Sequence, residues 1–148
     1  MKVAILMGSK NDEPKLAKAG ETLTRFGVEF EQHVLSAHRN PTEVVAFVEA
    51  ARDNGIGAFI CAAGMAAHLA GVVAAHTTLP VIGVPVSGGA INGVDALYST
   101  VQMPPGIPVA TVAIDGSMNA ALLAIEIFAL TDDVLTKKLE EFKAGGSR

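Results

Sequence analysis

The sequence has no tryptophan, one tyrosine and one cysteine in 148 residues. Between Asn54 and Ile114 it carries a single formally charged side chain, Asp95. The lone Cys61 excludes an internal disulfide and suits a reducing compartment, so a cytoplasmic location is expected. With aromatics at 5% and hydrophobic residues at 50%, the core must be largely aliphatic. Positive charge is scarce too: 11 Lys and Arg against 15 Asp and Glu leave a net charge of −4. No basic stripe is present, which excludes the usual electrostatic footprint of a nucleic-acid binder.

Long apolar runs are also missing. The opening run to Met7 is short and is broken by Gly8-Ser9-Lys10-Asn11-Asp12, so it reads as a buried first strand rather than a signal peptide. The uncharged middle is interrupted by Gly55, Gly57, Gly64, Gly71, Pro80, Gly83 and Pro85, and it carries His68 and His76. No continuous apolar helix of about 20 residues fits there, and no membrane span is expected. Charge is distributed unevenly, with 15 formal charges in residues 1–53 and ten in 115–148. A chain this short has difficulty hiding so long an uncharged stretch by itself. Homo-oligomerisation follows as an expectation.

Strand and helix signals alternate along the chain. Lys2–Met7 is an apolar run ending at Gly8. Pro14–Phe26 places Leu16, Ala19, Leu23 and Phe26 on one helical face, closed by Gly27. Glu29–Leu35 reads as a strand and Pro41–Asp53 as a helix opened by proline. Gly57–Ala62 and Pro80–Val84 read as buried strands flanking a small-residue helix around Ala66–His76. Asn92–Gln102 reads as a helix with Asn92 as N-cap and Asp95 completing a capping box. Val109–Ile114 is a fifth strand, Ser117–Leu130 a helix, and Asp132–Phe142 a charged final helix. Five strands separated by helices imply one α/β domain over residues 1–148, with a parallel sheet covered on both faces.

Ligands in such sheets bind beyond the carboxyl ends of the strands, near the point where strand order switches. That rule selects three loops. Gly8–Asp12 offers backbone N–H groups and a hydroxyl to a phosphate at a helix start, and it equally suits a reading in which Asp12 merely caps the helix. It is neither G-x-G-x-x-G nor a Walker A loop. Ser36-Ala37-His38-Arg39 offers a proton-transfer group beside an anion clamp, although His-Arg pairs without function are frequent. Ala63–Gly71 brings a glycine and His68 to the third strand end, or else is a packed helix with one satisfied histidine. Cys61 reads as an inert core thiol, and His33 and His76 as surface or packing residues. The histidines and cysteine lack a zinc spacing. Met103–Pro108 reads as a rigid loop, whether lid, subunit contact or plain turn.

Together these segments resemble the class I N5-carboxyaminoimidazole ribonucleotide mutase family of purine biosynthesis. The matching pieces are Met7-Gly8-Ser9 with Asp12, Ser36-Ala37-His38-Arg39, Ala66-Ala67-His68-Leu69 and Pro80–Val86. They continue through Gly93–Ser99, Val101-Gln102-Met103-Pro104 and Asn119–Ala124, in family order. The resemblance implies a three-layer α/β/α, flavodoxin-like fold with a five-stranded parallel sheet and a C-terminal helix, assembled as a homo-octamer with sites between subunits. It implies a reaction without metal or cofactor, in which carboxylate moves from the exocyclic nitrogen of the substrate to carbon 4 of its ring. His38 is implied as general acid and base. Ser9, Asn11 and Arg39 are implied at the phosphate, Asp12 at the ribose, Ser36 and Ala37 at the base, and Gly64, Ala67, His68 and Leu69 around the carboxylate. The chain departs from the family at Ala70 (commonly proline), Asn40 (threonine), Met65 (frequently glycine) and the Ser87-Gly88-Gly89-Ala90 loop. Two other readings remain beside it: a class II relative that carboxylates aminoimidazole ribonucleotide directly, and a non-catalytic flavodoxin-like module binding FMN or a phosphorylated ligand. Only Tyr98 is available to stack on a flavin.

Overall fold

The computed structural model describes residues 1–147. Among them five strands form one sheet: β1 (Lys2–Met7), β2 (Phe30–Val34), β3 (Ile56–Gly64), β4 (Val81–Val86) and β5 (Ala110–Thr111). Every neighbouring pair is parallel, and the order is β2-β1-β3-β4-β5. This is the flavodoxin-like order, which reverses direction between β1 and β3. Parallel neighbours need crossovers, and the helices supply them: α1 (Glu13–Phe26), α2 (Pro41–Ala50), α3 (Leu69–Ala75), α4 (Val94–Val101), α5 (Ser117–Ala129) and α6 (Asp133–Ala144).

β1 and β4 are buried along nearly their whole length, and so is β3 up to Ala62. Strands covered on both faces read as continuous apolar runs, which accounts for the uncharged middle of the sequence. On one face Val3, Ile5 and Met7 pack with Leu16, Leu23, Ala121, Ile125 and Phe142 of α1, α5 and α6. On the other, Ala4, Leu6, Phe59 and Cys61 pack with Val44, Val48, Leu69 and Val73 of α2 and α3. α4 joins this second face close to the sheet. A Cβ built on Gly83 of β4 would lie 2.4 Å from Thr100 Cγ2, so only glycine admits the helix at this distance. None of the described helices is long and apolar enough to cross a membrane.

The C-terminus of α1 and the N-terminus of α6 are individually secured. α1 stops at Gly27, whose φ of 76° is the left-handed C-cap conformation. Lys138 of α6 donates to the Phe26 carbonyl at 2.7 Å. Asp132 caps α6 by accepting from Val134 N and Leu135 N.

Several sequence expectations are corrected. Asn92 does not cap α4: Gly93 holds that position at φ 92°, with Asn92 itself at φ 51°. A capping side chain needs an extended backbone beneath it, and two left-handed residues in succession remove that geometry. Asp95 instead accepts from Ala96 N at 2.9 Å. Asp12 makes no side-chain cap on α1; its carboxylate turns back to Ser9 N at 3.0 Å. α3 begins at Leu69 rather than Ala66, because Met65 is left-handed (φ 53°) and the chain stays in tight turns until His68. α2 ends at Ala50, unwinding into the Gly55 turn. β5 pairs over only two residues before the chain turns at Asp115, which is also left-handed (φ 56°).

Candidate active site

The carboxyl ends of β1, β2 and β3 meet at a cleft of about 300 Å³. It lies at the β1–β3 switch in strand order, where such sheets hold their ligands. β1 contributes Gly8, Ser9, Asn11 and Asp12. Gly8 N donates to Ala62 O at 3.0 Å, joining this loop to β3. Ser9 and Asp12 then stiffen the single 3₁₀ turn Lys10–Asp12: Ser9 Oγ accepts from Asn11 N at 3.2 Å while Asp12 Oδ2 accepts from Ser9 N. Burial pushes the Asp12 carboxyl above its ordinary range, against the opposing pull of the Ser9 N–H. The Asp12 carboxylate thus closes the loop that lines the cleft and does not cap α1.

β2 contributes Ser36, Ala37, His38 and Arg39. Ser36 closes this turn twice, its Oγ accepting from Arg39 N at 3.3 Å and its carbonyl from Asn40 N at 2.8 Å. The turn throws His38 and Arg39 outward, where both are exposed. β3 contributes Ala63, Gly64, Met65, Ala66, His68 and Leu69.

His38 Nε2 and His68 Nδ1 are 3.0 Å apart, with the rings edge-to-face at 77°. An N–H···N bond needs a proton on one nitrogen and a lone pair on the other. While the bond persists the pair therefore carries at most one positive charge. Two histidines 30 residues apart in sequence thus share one hydrogen bond at the cleft.

Ten of the eleven residues singled out in the sequence line this cleft. Ala67 does not; it is buried beneath the loop. Gly8, Ala63, Met65 and Ala66 also line it; they lie in the loops selected from the sequence but were given no individual binding role there. Small and apolar side chains of this kind carry no chemical signature, and only their position after a strand could have marked them. Cys61 is buried inside β3, and burial raises its thiol well above the ordinary range. His33 lies against Phe47 with ring centroids 4.6 Å apart and donates from Nε2 to Glu31 Oε1 at 3.2 Å, away from the cleft. Among the described residues no three His, Cys, Asp or Glu side chains group as metal ligands would.

A second, wider groove of about 900 Å³ opens beside the first and shares Ala37, His38 and His68 with it. Its other walls come from α3 (Gly71, Val72, Ala75, with His76 at its end) and from Tyr98, Ser99, Gln102, Met103 and Pro104. Tyr98 is 61% exposed. The two histidines thus stand on the ridge between a polar cleft and an apolar groove. Such a site can hold an anion at Arg39 and the β1 loop and move a proton at the histidine pair.

The chain matches the AIR carboxylase family over residues 2–147. It is 50% identical over 142 residues to the N5-carboxyaminoimidazole ribonucleotide mutase of Pyrococcus abyssi, covering 96% of this chain and 82% of that one. It is 53% identical over 141 residues to the protein of that name from Methanocaldococcus jannaschii, covering 95% and 87%. The crystal structure of Treponema denticola PurE superposes with a TM-score of 0.87 at 30% identity, covering 98% of this chain and 90% of that one.

Proposed function

The chain belongs to the AIR carboxylase family, and we infer from this that it acts as an N5-carboxyaminoimidazole ribonucleotide mutase, an isomerase of purine biosynthesis. The observation that carries the mechanism is the His38–His68 hydrogen bond at the mouth of the cleft. In the proposed reaction His38 gives its proton to the exocyclic nitrogen as the N–CO₂ bond breaks. Carbon 4 of the resulting aminoimidazole then attacks the released carbon dioxide, and His38 takes back the proton from carbon 4. The net change is a shift of carboxylate with no proton gained or lost. A single imidazole suits the task because the nitrogen that gives up a proton is left with a lone pair that can take one back. His38 Nε2 and His68 Nδ1 share one proton, so the pair never needs two charges.

The rest of the cleft divides the substrate. Arg39, Ser9 and Asn11 take the phosphate, and Asp12 takes the ribose hydroxyls. Ser36 and Ala37 line the base, with Gly64, His68 and Leu69 around the carboxylate; Ala67 supports that wall from beneath. The small apolar lining after β3 supports retention of carbon dioxide between steps, since it offers little to hold water.

The exposure of both histidines supports closure by a neighbouring subunit. The apolar groove that shares them, with Tyr98, fits a second copy of the chain, and we place the functional state as a homo-octamer of single α/β domains in the cytoplasm. Eight chains of 15.2 kDa sediment at about 120 kDa as a closed assembly.

The purified enzyme, supplied separately with each substrate, tests the reading. It should convert the N5-carboxy compound without added bicarbonate, and His38→Asn should lose about 10²- to 10⁴-fold in kcat. Product from aminoimidazole ribonucleotide and carbon dioxide, with none from the N5-carboxy compound, would make it a direct carboxylase. A yellow protein without turnover would make it a flavin module.

A further inference from the structure

One cluster outside the cleft joins three distant parts of the chain. Lys15 in the first turn of α1, Ser87 just after β4 and Asp115 just after β5 meet at a corner on the carboxyl side of the sheet. Lys15 Nζ donates to Asp115 Oδ2 at 2.9 Å and to Ser87 Oγ at 2.5 Å. Ser87 donates its backbone N–H to Asp115 Oδ1 at 2.9 Å and its hydroxyl to Oδ2. The Asp115 turn is fixed to its neighbours: its N–H donates to Pro85 O at 2.9 Å, and Ser117 Oγ donates to Lys15 O at 2.7 Å. A non-glycine residue at φ 56° costs about 1 kcal/mol or more, and the three bonds to its carboxylate give a reason for it.

Ser87 begins the exposed loop that ends at Gly93, and the two ends lie against each other. A Cβ built on Gly93 would sit 3.0 Å from Ser87 Cα. Whatever holds Ser87 therefore holds both stems. At the tip, a Cβ built on Gly89 would sit 3.3 Å from Met65 Cγ and 3.8 Å from its sulfur. Met65 lines the cleft, is itself left-handed and is 62% exposed, and the loop tip at Gly89 lies against its side chain.

We propose that Lys15, Ser87 and Asp115 are positioning residues for the cleft: they pin the Ser87–Gly93 loop so that Gly89 backs Met65, and Met65 sets the width of the mouth above the His38–His68 pair. None of the three touches the cleft, and their effect passes through one contact. The inference rests on the mutase reading for its kinetic consequence, but the loop-to-Met65 coupling exists without substrate.

The experiment measures both. Lys15→Met and the milder Ser87→Ala, which keeps the Lys15–Asp115 ion pair, are assayed for KM, kcat and Tm. The Met65 methyl resonance is followed in the unliganded protein, assigned by Met65→Leu. KM should rise about fivefold in Lys15→Met, with kcat within about twofold of the parent. The Met65 methyl should move in both variants, and Lys15→Arg should restore most of both signals. In a Met65→Gly background, Lys15→Met should have no further effect on KM. A fall in Tm with KM and the methyl unchanged would reduce the cluster to a fold clamp and overturn the proposal. An equal KM rise with and without the Met65 side chain would overturn it too. A parent enzyme that turns over neither substrate would instead overturn the mutase reading, leaving the methyl shift to decide the coupling by itself.

Discussion

Gly83→Ala is the sharpest test of how α4 is seated. Gly83 lies in β4, paired with Cys61 of β3 and Thr111 of β5. The added Cβ would meet Thr100 Cγ2 at 2.4 Å and Val109 Cγ1 at 3.0 Å. Carbon atoms pack at about 3.5 to 4.0 Å, so the closer contact is short by more than an ångström. Thr100 cannot simply swing aside, because it is buried and its hydroxyl donates to Ala96 O at 2.7 Å. Overpacking of this kind costs about 1 to 3 kcal/mol, while replacing a strand glycine returns about 0.5 to 1 kcal/mol in backbone entropy. A contact short by more than an ångström falls at the upper end of that cost, so the net is a loss of about 2 kcal/mol, or roughly 4 to 8 °C in Tm for a domain of this size. Thr100→Ser removes the clashing methyl and keeps the hydroxyl. In that background Gly83→Ala should cost less than about 1 kcal/mol, since Val109 Cγ1 is then the nearest atom. Urea titrations of the four proteins at one fixed concentration complete the cycle, because assembly would otherwise shift the midpoints. An equal loss in both backgrounds would refute the assignment of the clash to Thr100 Cγ2.

Three further outcomes are expected. Burial alone would raise the Asp115 carboxyl, but hydrogen bonds from Ser87 and Lys15 outweigh it and hold it below the ordinary range. Its stabilising contribution is thus complete above the unfolded value, about 3.9, and is lost as pH falls through the lower folded value; urea midpoints of Asp115→Asn should approach the parent's at low pH and lie below them at pH 7. Cys61, with its thiol pushed upward by full burial, should resist a disulfide reagent in the native protein and react fully in urea, and rapid native labelling would contradict its place in β3. Asp132→Ala removes a side chain that accepts from two backbone N–H groups at the start of α6, and should cost about 1 kcal/mol by urea denaturation.

Much of the sheet was legible because β1, β3 and β4 are covered on both faces and so appear as apolar runs between glycines and prolines. The cleft was legible for a related reason: fold class and strand ends together select the loops after β1, β2 and β3. The errors have local causes. Asn92 followed three residues later by Asp95 has the spacing of a capping box, but left-handed backbone at 92 and 93 decided otherwise. Left-handed Met65 delayed α3, where a run of alanines suggested continuous helix. The His38–His68 bond and the Lys15–Ser87–Asp115 cluster could not be read at all. They join residues from 28 to 100 positions apart, and nothing local to any of them specifies the partner.

The scarcity of charge in the middle of the chain also explains how the site divides its work. Between Asn54 and Ile114 the groups able to titrate are Cys61, His68, His76, Asp95 and Tyr98. Of these, His68 alone lines the cleft. The wall from β3 is otherwise Ala63, Gly64, Met65, Ala66 and Leu69, while the walls from β1 and β2 hold Ser9, Asn11, Asp12, Ser36 and Arg39. One side of the cleft is therefore lined by hydroxyl, amide, carboxyl and guanidinium groups and the other by a largely apolar surface. In the proposed reaction, a fixed charge on the β3 side would draw water to the point where neutral carbon dioxide has to wait. An imidazole there, bonded to His38, leaves one shared proton and no second charge. The histidine pair sits on the seam because the proposed reaction needs both surfaces at once: a ribonucleotide held on the polar side, and a proton delivered and recovered at the apolar one.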